Sequence, residues 1–310
     1  MKSTDYLGML GGLALFLYGM QMMSDGLEQL AGHYLETILK KLTNHKLKAI
    51  GVGIIITALI QSSSAMTVML VGFVNSGLMP LENAIWVVMG ANIGTTVTGQ
   101  LLAFPIGSLA PVLSLIGIVL FIMSKHIKAI GSSIGGIGLL FMGLEMMSLS
   151  LSPLKNSAFF IQCLHYFTHP LFGILVGAFF TAIIQSSSAS IGILQSLAKL
   201  GFLTLKQATF LIFGFDIGTC VTAFLASLTG SRAGKQVALF HLLLNLFGTF
   251  IFTIIVLTTP FITFVYNLTP NLIMTQIANM HTLFNVGTTL MALCIDHYFI
   301  KIVKKILPSR

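Results

Sequence analysis

The stretch Gln61-Ser62-Ser63-Ser64-Ala65, QSSSA, lies inside one of the most apolar parts of the chain. It is preceded by GVGIIITALI (residues 51–60) and followed by MTVMLVGFV (residues 66–74). Consecutive hydrogen-bonding side chains are costly in such surroundings unless each finds a partner. The same five letters recur at residues 185–189, again after an apolar run, GAFFTAII. A polar row that is buried twice in this way indicates a functional site.

The composition of the chain identifies the solvent in which it folds. Of its 310 residues, 55% are hydrophobic and 8% are charged, and the mean hydropathy is +0.96. Soluble domains carry about 25% charged residues, so this chain lacks the side chains to cover a water-facing surface. The sequence therefore predicts an all-α integral membrane protein in a lipid bilayer. The net charge of +8 indicates membrane topology rather than nucleic-acid binding, because no basic domain is present.

Apolar runs close to the length of about 20 residues that a transmembrane helix needs occur seven times. They lie at about 7–24, 82–104, 108–124, 130–149, 206–228, 236–258 and 278–300. The three cysteines, Cys163, Cys220 and Cys294, have spacings that indicate neither a disulfide framework nor a metal site.

The sequence repeats itself at an offset of 124 residues. The matched pairs are Gly12 and Gly136, Gln61 and Gln185, Gly77 and Gly201, and Gly94 and Gly218. One offset without a gap predicts two copies of one unit, the first in residues 1–129 and the second in residues 130–259. Residues 260–310 are then expected to form an extracellular loop and a C-terminal transmembrane helix.

The segment around each QSSS could form one long span or a re-entrant hairpin of two half-helices. If both segments are hairpins, three spans separate the copies, and an odd number turns the second copy upside down. With two hairpins and seven spans, 12 of the 16 Lys and Arg residues fall on one side of the membrane. With two full spans this bias largely disappears. The positive-inside rule therefore favours two inverted repeats with re-entrant helical hairpins in a plasma membrane, the N-terminus outside and the C-terminus cytoplasmic.

A polar-faced segment separates the first predicted span from the first hairpin. Leu27, Leu30, Tyr34, Ile38 and Leu42 recur there at helical spacing, with charged residues and histidine on the other face. This pattern predicts an interfacial helix along the membrane surface.

Each repeat carries a second polar interruption in the span that follows its hairpin. It reads GANIGTTVT at residues 90–98 and GFDIGTCVT at residues 214–222. Glycines beside Asn or Thr are positions where a membrane helix can unwind, so we expect broken transmembrane helices here. Half-helix ends at mid-membrane suit ions, N-terminal ends an anion and C-terminal ends a cation.

The residue types at these interruptions suggest which ions they bind. Serine hydroxyls suit a tetrahedral oxyanion, because each donates one hydrogen bond and rotates to fit. The candidate anion-binding residues are Gln61, Ser62, Ser63, Ser64, Gln185, Ser186, Ser187 and Ser188. No Lys or Arg lies in the interior of a predicted span, so we expect cations to accompany the anion. The candidate sodium ligands are Asn92, Thr95, Thr98, Asp216, Thr219 and Thr222, which offer hard oxygens at matched positions.

The doubled QSSS segments, each followed by a G-x-[Asn/Asp]-I-G-T segment, resemble the type II sodium-dependent phosphate cotransporter family over residues 7–260. The resemblance implies an inverted-repeat symporter of inorganic phosphate and sodium that works by alternating access and needs no other cofactor. It implies further that both QSSS segments lie at the substrate and ion sites. Many bacterial relatives carry a soluble C-terminal domain, and since the chain ends at Arg310 we expect a bacterial member without it.

Three further features accompany the motifs. Position 216 is Asp where the family pattern has Asn, and since a carboxylate repels phosphate we expect Asp216 at the cation. The pairs His241–Asn245 and His281–Asn285 each place His and Asn on one helix face, like a His…Phe-Asn element of the family. Interhelical hydrogen bonds and support of the site are both consistent with these pairs. A last candidate is Glu145, a carboxyl group near the end of a span.

Other functions remain open at this stage. Hydroxyl groups do not specify phosphate uniquely, so a sodium- or proton-coupled carrier of another small oxyanion or of a dicarboxylate is the main alternative. An intramembrane hydrolase would use one serine as nucleophile and His241 or His281 as base. Its nucleophile is needed once, however, and the serine triplets occur in symmetric pairs. A channel is a third alternative, but hairpins on both sides favour gates. We therefore expect a transporter and not an enzyme.

Overall fold

The computed structural model describes residues 3–32, 38–39, 43–123, 127–157, 162, 164, 166–228 and 230–308. Within these ranges the chain forms thirteen α-helices and no strand. The first five are α1 (Ser3–Ala31), α2 (Lys46–Ile60), α3 (Ser63–Asn75), α4 (Leu81–Leu102) and α5 (Ala110–Met123). The next five are α6 (Lys128–Leu151), α7 (Pro170–Ile184), α8 (Ser187–Lys199), α9 (Leu205–Ser227) and α10 (Arg232–Thr258). The last three are α11 (Phe261–Leu268), α12 (Ile273–Cys294) and α13 (Asp296–Ile306).

Five of the helices in the described residues are long and apolar enough to cross a membrane, namely α1, α4, α6, α9 and α10. A sixth span results if α12 and α13, which meet at an angle of 80°, are counted together. These helices confirm the all-α membrane fold. The predicted span at 108–124 is a shorter helix, α5, and the segments around both QSSS motifs are pairs of short helices.

The helix boundaries repeat at the offset found in the sequence. Helices α2 and α3 begin and end 124 residues before α7 and α8, and α4 begins 124 residues before α9. The last helix of each repeat, α5 in the first and α10 in the second, differs in its packing. Helix α5 packs on α6, whereas α10 packs against α3, α4, α9 and α12. Helices α4 and α9 form the buried centre to which the other elements attach.

The corresponding helices α1 and α6 pack against each other in antiparallel directions. Gly12 lies against the backbone of Gly143, and Gly19 lies against the backbone of Gly136. Because Gly136 and Gly143 are the counterparts of Gly12 and Gly19, the contact is reciprocal, as in a two-fold interface. Small residues permit this close approach of two helices in a lipid environment.

The prediction that the spans with GANIGTTVT and GFDIGTCVT are broken is wrong. Helices α4 and α9 run without interruption through both segments. Their glycines instead make room for a neighbouring backbone. Gly90 and Gly94 of α4 lie against the carbonyl groups of Ile50 and Ile54 in α2. Gly214 and Gly218 of α9 lie in the same way against α7, so glycine serves packing here rather than unwinding.

The predicted end of the C-terminal span, at residue 300, is wrong. Helix α12 ends at Cys294, and α13 leaves at 80°. At the bend, the buried carboxylate of Asp296 accepts hydrogen bonds from Lys46 Nζ at 3.0 Å and Trp86 Nε1 at 2.9 Å. These partners on α2 and α4 hold the bend in place. The segment expected as an extracellular loop before α12 contains the short helix α11.

The predicted interfacial helix falls only partly within the described residues. Leu27 and Leu30 belong to α1, which continues to Ala31 and thus beyond the expected end at residue 24. Ile38 is described, whereas Tyr34 and Leu42, together with Cys163 among the cysteines, lie outside the described residues.

The packing role of the glycines predicts opposite effects for two substitutions. In Gly90→Ala the new Cβ collides with the Ile50 carbonyl oxygen, which forces α2 and α4 apart and costs about 1–3 kcal/mol of stability. In Gly72→Ala, in helix α3, the Cβ enters open space and gains about 0.5–1 kcal/mol of helix propensity. Thermal unfolding of the purified variants measures both changes. Equal stability of the two variants contradicts the packing role.

Candidate functional site

Both QSSS motifs are helix breaks with the same backbone geometry. Gln61 ends α2 with φ 54° and ψ 22°, and Gln185 ends α7 with φ 59° and ψ 22°. This left-handed conformation is strained for a residue with a side chain and is found preferentially at functional sites. In the next residue of each motif the serine hydroxyl caps a new helix. Ser62 accepts from the Ala65 N–H group at 3.1 Å, and Ser186 does the same one repeat later.

The two breaks line one cavity of about 160 Å³. All eight predicted anion-binding residues contribute to its wall: Gln61, Ser62, Ser63, Ser64, Gln185, Ser186, Ser187 and Ser188. The other lining residues are Met20, Gln21 and Ser24 of α1. A cavity of this volume has room for one small oxyanion.

An anion in this cavity would be held by dipoles rather than by charged side chains. The described residues that line it include no Lys, Arg, Asp or Glu. The first turns of α3 and α8 begin at Ser63 and Ser187, so two helix N-termini contribute partial positive charge. The hydroxyl groups of Ser63 and Ser187 line the cavity and have no hydrogen-bond partner among the described residues. Both hydroxyls are therefore available to a ligand.

Thr98 of α4 joins the two motifs. Its hydroxyl donates to Gln61 Oε1 at 2.6 Å and accepts from the Ser188 hydroxyl at 3.1 Å. The Gln61 amide nitrogen donates to the Ala58 carbonyl group, so both ends of this amide are bound by protein. Gln185, in contrast, is exposed. The sequence predicted Thr98 as a sodium ligand, and the structure places it between the two anion motifs.

Asp216 lies in a buried network with two predicted supporting residues. Its Oδ1 is 3.2 Å from His281 Nε2, and its Oδ2 accepts from Asn285 Nδ2 at 2.7 Å. Since a carboxylate oxygen only accepts, the His281 Nε2–H donates. All three residues are at most 5% exposed. A buried carboxylate in a membrane-spanning helix is costly and marks a functional position.

Asn92, the counterpart of Asp216, is held by the other His–Asn pair. Its Oδ1 accepts from His241 Nε2 at 3.2 Å, and its Nδ2 donates to Asn245 Oδ1 at 2.6 Å. Asn245 in turn donates to the backbone carbonyl of Asp216 at 2.6 Å. The predicted sodium ligands Asn92 and Asp216 and the four predicted supporting residues thus form one connected network. It lies one to two helical turns along α4 from Thr98.

The three remaining predicted sodium ligands bond within their own helices. The hydroxyls of Thr95, Thr219 and Thr222 donate to backbone carbonyls three or four residues earlier. Each hydroxyl oxygen keeps a lone pair that could face a cation, because the backbone bond uses only its proton. The described residues contain no cluster of three or more His, Cys, Asp or Glu side chains, so a cation here would depend on neutral oxygens and Asp216.

The sequence analysis missed two threonines that lie one helical turn beyond Asn245 and Asn285 and bond between the same helices as the network. Thr249 of α10 donates to the Phe213 carbonyl group on α9, and Thr289 of α12 donates to the Met89 carbonyl group on α4. The two acceptors, Phe213 and Met89, are 124 residues apart and so occupy equivalent positions in the repeats. Helix α10 therefore bonds to α4 through His241 and to α9 through Thr249, whereas α12 bonds to α9 through His281 and to α4 through Thr289. The signal in the sequence was the pattern His-x-x-x-Asn-x-x-x-Thr, which occurs at residues 241–249 and 281–289.

The fold and the cavity define a class of protein. A multi-pass helical membrane protein with a polar cavity between two mid-chain helix breaks has the architecture of a membrane carrier. A family model described as Na+/Pi-cotransporter matches residues 15–149 and 157–295 of the chain. The chain belongs to this family, and the resemblance noted in the sequence is confirmed.

Several proteins are similar to this chain. The uncharacterized protein YqeW of Bacillus subtilis (strain 168) is 34% identical over 306 residues, which are 96% of this chain and 97% of that protein. The putative inorganic phosphate export protein YjbB of Escherichia coli (strain K12) is 31% identical over 248 residues, 79% of this chain and 46% of that protein. The sodium-dependent phosphate transport protein 2A of Rattus norvegicus is 37% identical over 97 residues, 31% of this chain and 15% of that protein. The chain therefore aligns with less than half of the last two relatives. No solved structure matches it.

The position of Thr98 predicts a loss of stability in one of two variants. Thr98→Val keeps the shape of the side chain but leaves the buried Gln61 Oε1 without its donor, which costs about 1–3 kcal/mol. Thr98→Ser keeps the hydroxyl and serves as the control. Thermal unfolding of both variants tests the link. A valine variant as stable as the serine variant excludes it.

Proposed function

We propose that the chain is a secondary active transporter that carries inorganic phosphate together with sodium across the plasma membrane. The observation that carries the proposal is the cavity lined by both QSSS motifs. It offers two helix N-termini and several hydroxyl donors to one tetrahedral anion. Membership in a transporter family argues against the hydrolase alternative.

The internal repeat supports alternating access as the mechanism. The reciprocal antiparallel packing of α1 on α6 is the contact expected of two repeats of opposite orientation. Inverted repeats place a hairpin on each side of one site, so that either hairpin can close it. With two re-entrant hairpins, the distribution of basic residues gives an outside N-terminus and a cytoplasmic C-terminus.

The buried network is the proposed site of sodium coupling. Phosphate carries one or two negative charges at neutral pH, and the serine cavity supplies no compensating side-chain charge. A cation bound near Asp216 and Asn92 reduces the cost of moving the anion through the bilayer. The amide, hydroxyl and carboxylate oxygens of this region are ligands that sodium accepts.

The names of the relatives support phosphate as the substrate but differ in direction. One is named for phosphate export and another for sodium-dependent phosphate transport. A symporter runs in whichever direction its gradients drive it, so both names are compatible with one mechanism. We propose uptake driven by inward sodium gradients, with efflux when the outward phosphate gradient exceeds the sodium driving force.

Flux measurements in proteoliposomes test the proposed function. Radiolabelled phosphate uptake is expected to rise with an inward sodium gradient and to respond to imposed voltage if net charge moves. Sulfate, arsenate and a dicarboxylate are added as competitors. Sodium-independent phosphate flux contradicts the coupling. Flux of sulfate or the dicarboxylate in place of phosphate favours the alternative substrate class.

Two serine variants test the anion site. Ser63→Ala and Ser187→Ala each remove a hydroxyl that is available to the anion. A hydrogen bond to a charged group contributes about 1.5–3 kcal/mol, so the apparent phosphate affinity should fall about 10- to 100-fold. Ser114→Ala is the control, because its hydroxyl is also buried and unpartnered in the described structure but does not line the cavity. Wild-type concentration dependence in both cavity variants refutes the site.

One charge-neutralising variant tests the cation site. Asp216→Asn gives the second repeat the residue that the first repeat has at Asn92. We expect the sodium concentration for half-maximal uptake to change at least severalfold, with the order of anion competition unchanged. Glu82→Gln removes a carboxylate from an exposed ion pair and serves as the control. A changed anion order with unaltered sodium dependence assigns Asp216 to the anion instead.

A further inference from the structure

Two equivalent positions of the repeats differ in charge and in contact. In the second repeat, Glu145 of α6 and Lys199 of α8 form an ion pair with a distance of 2.6 Å. Their counterparts 124 residues earlier are Gln21 and Asn75. Gln21 donates to Asp25 in its own helix, and Asn75 accepts hydrogen bonds from the start of α10. The second repeat thus links α6 to α8, and the described residues of the first repeat show no such link between α1 and α3.

The two positions lie on opposite sides of the centre of the α1–α6 contact. Helices α1 and α6 are antiparallel, with Gly12 beside Met147 and Gly19 beside Leu140, so Gln21 and Glu145 are displaced from the middle of the pair in opposite directions. Gln21 lines the serine cavity. Glu145 and Lys199 line a second cavity of about 700 Å³, whose other walls are the segment after α4 and the connection before α12.

A buried apolar cluster separates the second cavity from the serines. Leu102 and Leu144 line the second cavity, and both belong to the same cluster as Phe16 and Ala189. Ala189 directly follows the second serine triplet. A ligand in the second cavity therefore reaches the serines only if these packed side chains separate.

Helix α8 is fixed against this cluster by bonds that α3 cannot make. Gln195 of α8 donates to the carbonyl groups of Gly99 on α4 and Met274 on α12, both at 3.0 Å. Its counterpart in α3 is Val71, which has no side-chain donor. Helix α8 also packs against α6, whereas α3 has no comparable contact with α1 in the described part of the chain. The serine site is therefore closed at the end where α8 lies.

We propose that the cavity of about 700 Å³ is the second access route to the serine site and that the Glu145–Lys199 pair is the latch that keeps it closed. The inference rests on the proposed function, because alternating access requires a second opening. Separation of α8 from α6 opens the route and releases Lys199, which then meets an incoming oxyanion.

The exposure of the pair suits a reversible latch. Both side chains are about half exposed, at 50% for Glu145 and 45% for Lys199. An ion pair in this environment changes a conformational equilibrium by up to about fivefold. The ion pair therefore shifts the equilibrium toward the closed state but still allows the route to open.

A cysteine in the apolar cluster reports on the latch. Leu102→Cys is introduced into a chain whose native cysteines are replaced by alanine, and the protein is placed in nanodiscs, where a soluble maleimide reaches both faces. Glu145→Gln and Lys199→Gln should each raise the labelling rate about two- to fivefold. The charge exchange Glu145→Lys with Lys199→Glu should restore the original rate.

The matched control breaks a different exposed ion pair. Glu82→Gln removes the 2.7 Å pair with Lys304, which lies at neither cavity, and should leave the labelling rate unchanged. Leu144→Cys is the second reporter if Leu102→Cys does not fold. Unchanged labelling in both latch variants, or a response to Lys199→Gln alone, overturns the latch.

The labelling readout separates this inference from the proposed function. It requires no phosphate, so a labelling shift in a protein without phosphate flux supports the latch and refutes the proposed substrate. Normal sodium-driven phosphate flux with unchanged labelling refutes the latch and leaves the proposed function standing.

Discussion

A helix that ends inside an apolar protein must satisfy its terminal backbone groups, and the QSSS motifs are the local solution to this constraint. Gln61 and Gln185 turn the chain in the left-handed conformation, and the following serines cap the next helices with their own hydroxyls. The caps satisfy only part of each first turn. Residues of both first turns line one cavity, so a water or an anion there could satisfy the remaining donors. The site thus results from the way in which the backbone groups at the two helix breaks are satisfied.

The remaining helices hold the two breaks in a fixed relation. Helices α4 and α9 run unbroken through the centre, and their glycines let α2 and α7 approach at backbone contact. Thr98 then reaches from α4 to both motifs, while the buried network joins α4 and α9 through α10 and α12. Any movement of α3 or α8 must therefore exchange contacts with this centre, such as the bonds from Ser188 to Thr98 and from Gln195 to Gly99.

Features that depend on local chemistry could be predicted from the sequence. Features that depend on a contact with a residue distant in the sequence could not. The polar residues 61–64 predicted a break in an apolar segment, and the repeat predicted that both motifs are equivalent. The role of Gly94 could not be predicted, because a missing side chain permits either unwinding or close packing, and only the Ile54 carbonyl group opposite it selects packing. The bend after Cys294 had the same origin, since the hydrogen-bond partners of Asp296 are distant in the sequence.

The differences between the repeats determine the conformation more than their likeness does. Two identical inverted halves would give conformations of equal energy, one open at each end, with neither favoured. Here the second half alone carries Asp216, Glu145 and Lys199 at positions where the first half is neutral. In the proposed mechanism the ion pair and Gln195 favour closure where they lie, because their counterparts in the first half make no such contacts among the described residues. Because Asp216 lies in the network joining α4 and α9, a cation bound there would act on both halves at once. Charge placed in one repeat would thus give a near-symmetric scaffold a preferred direction of opening.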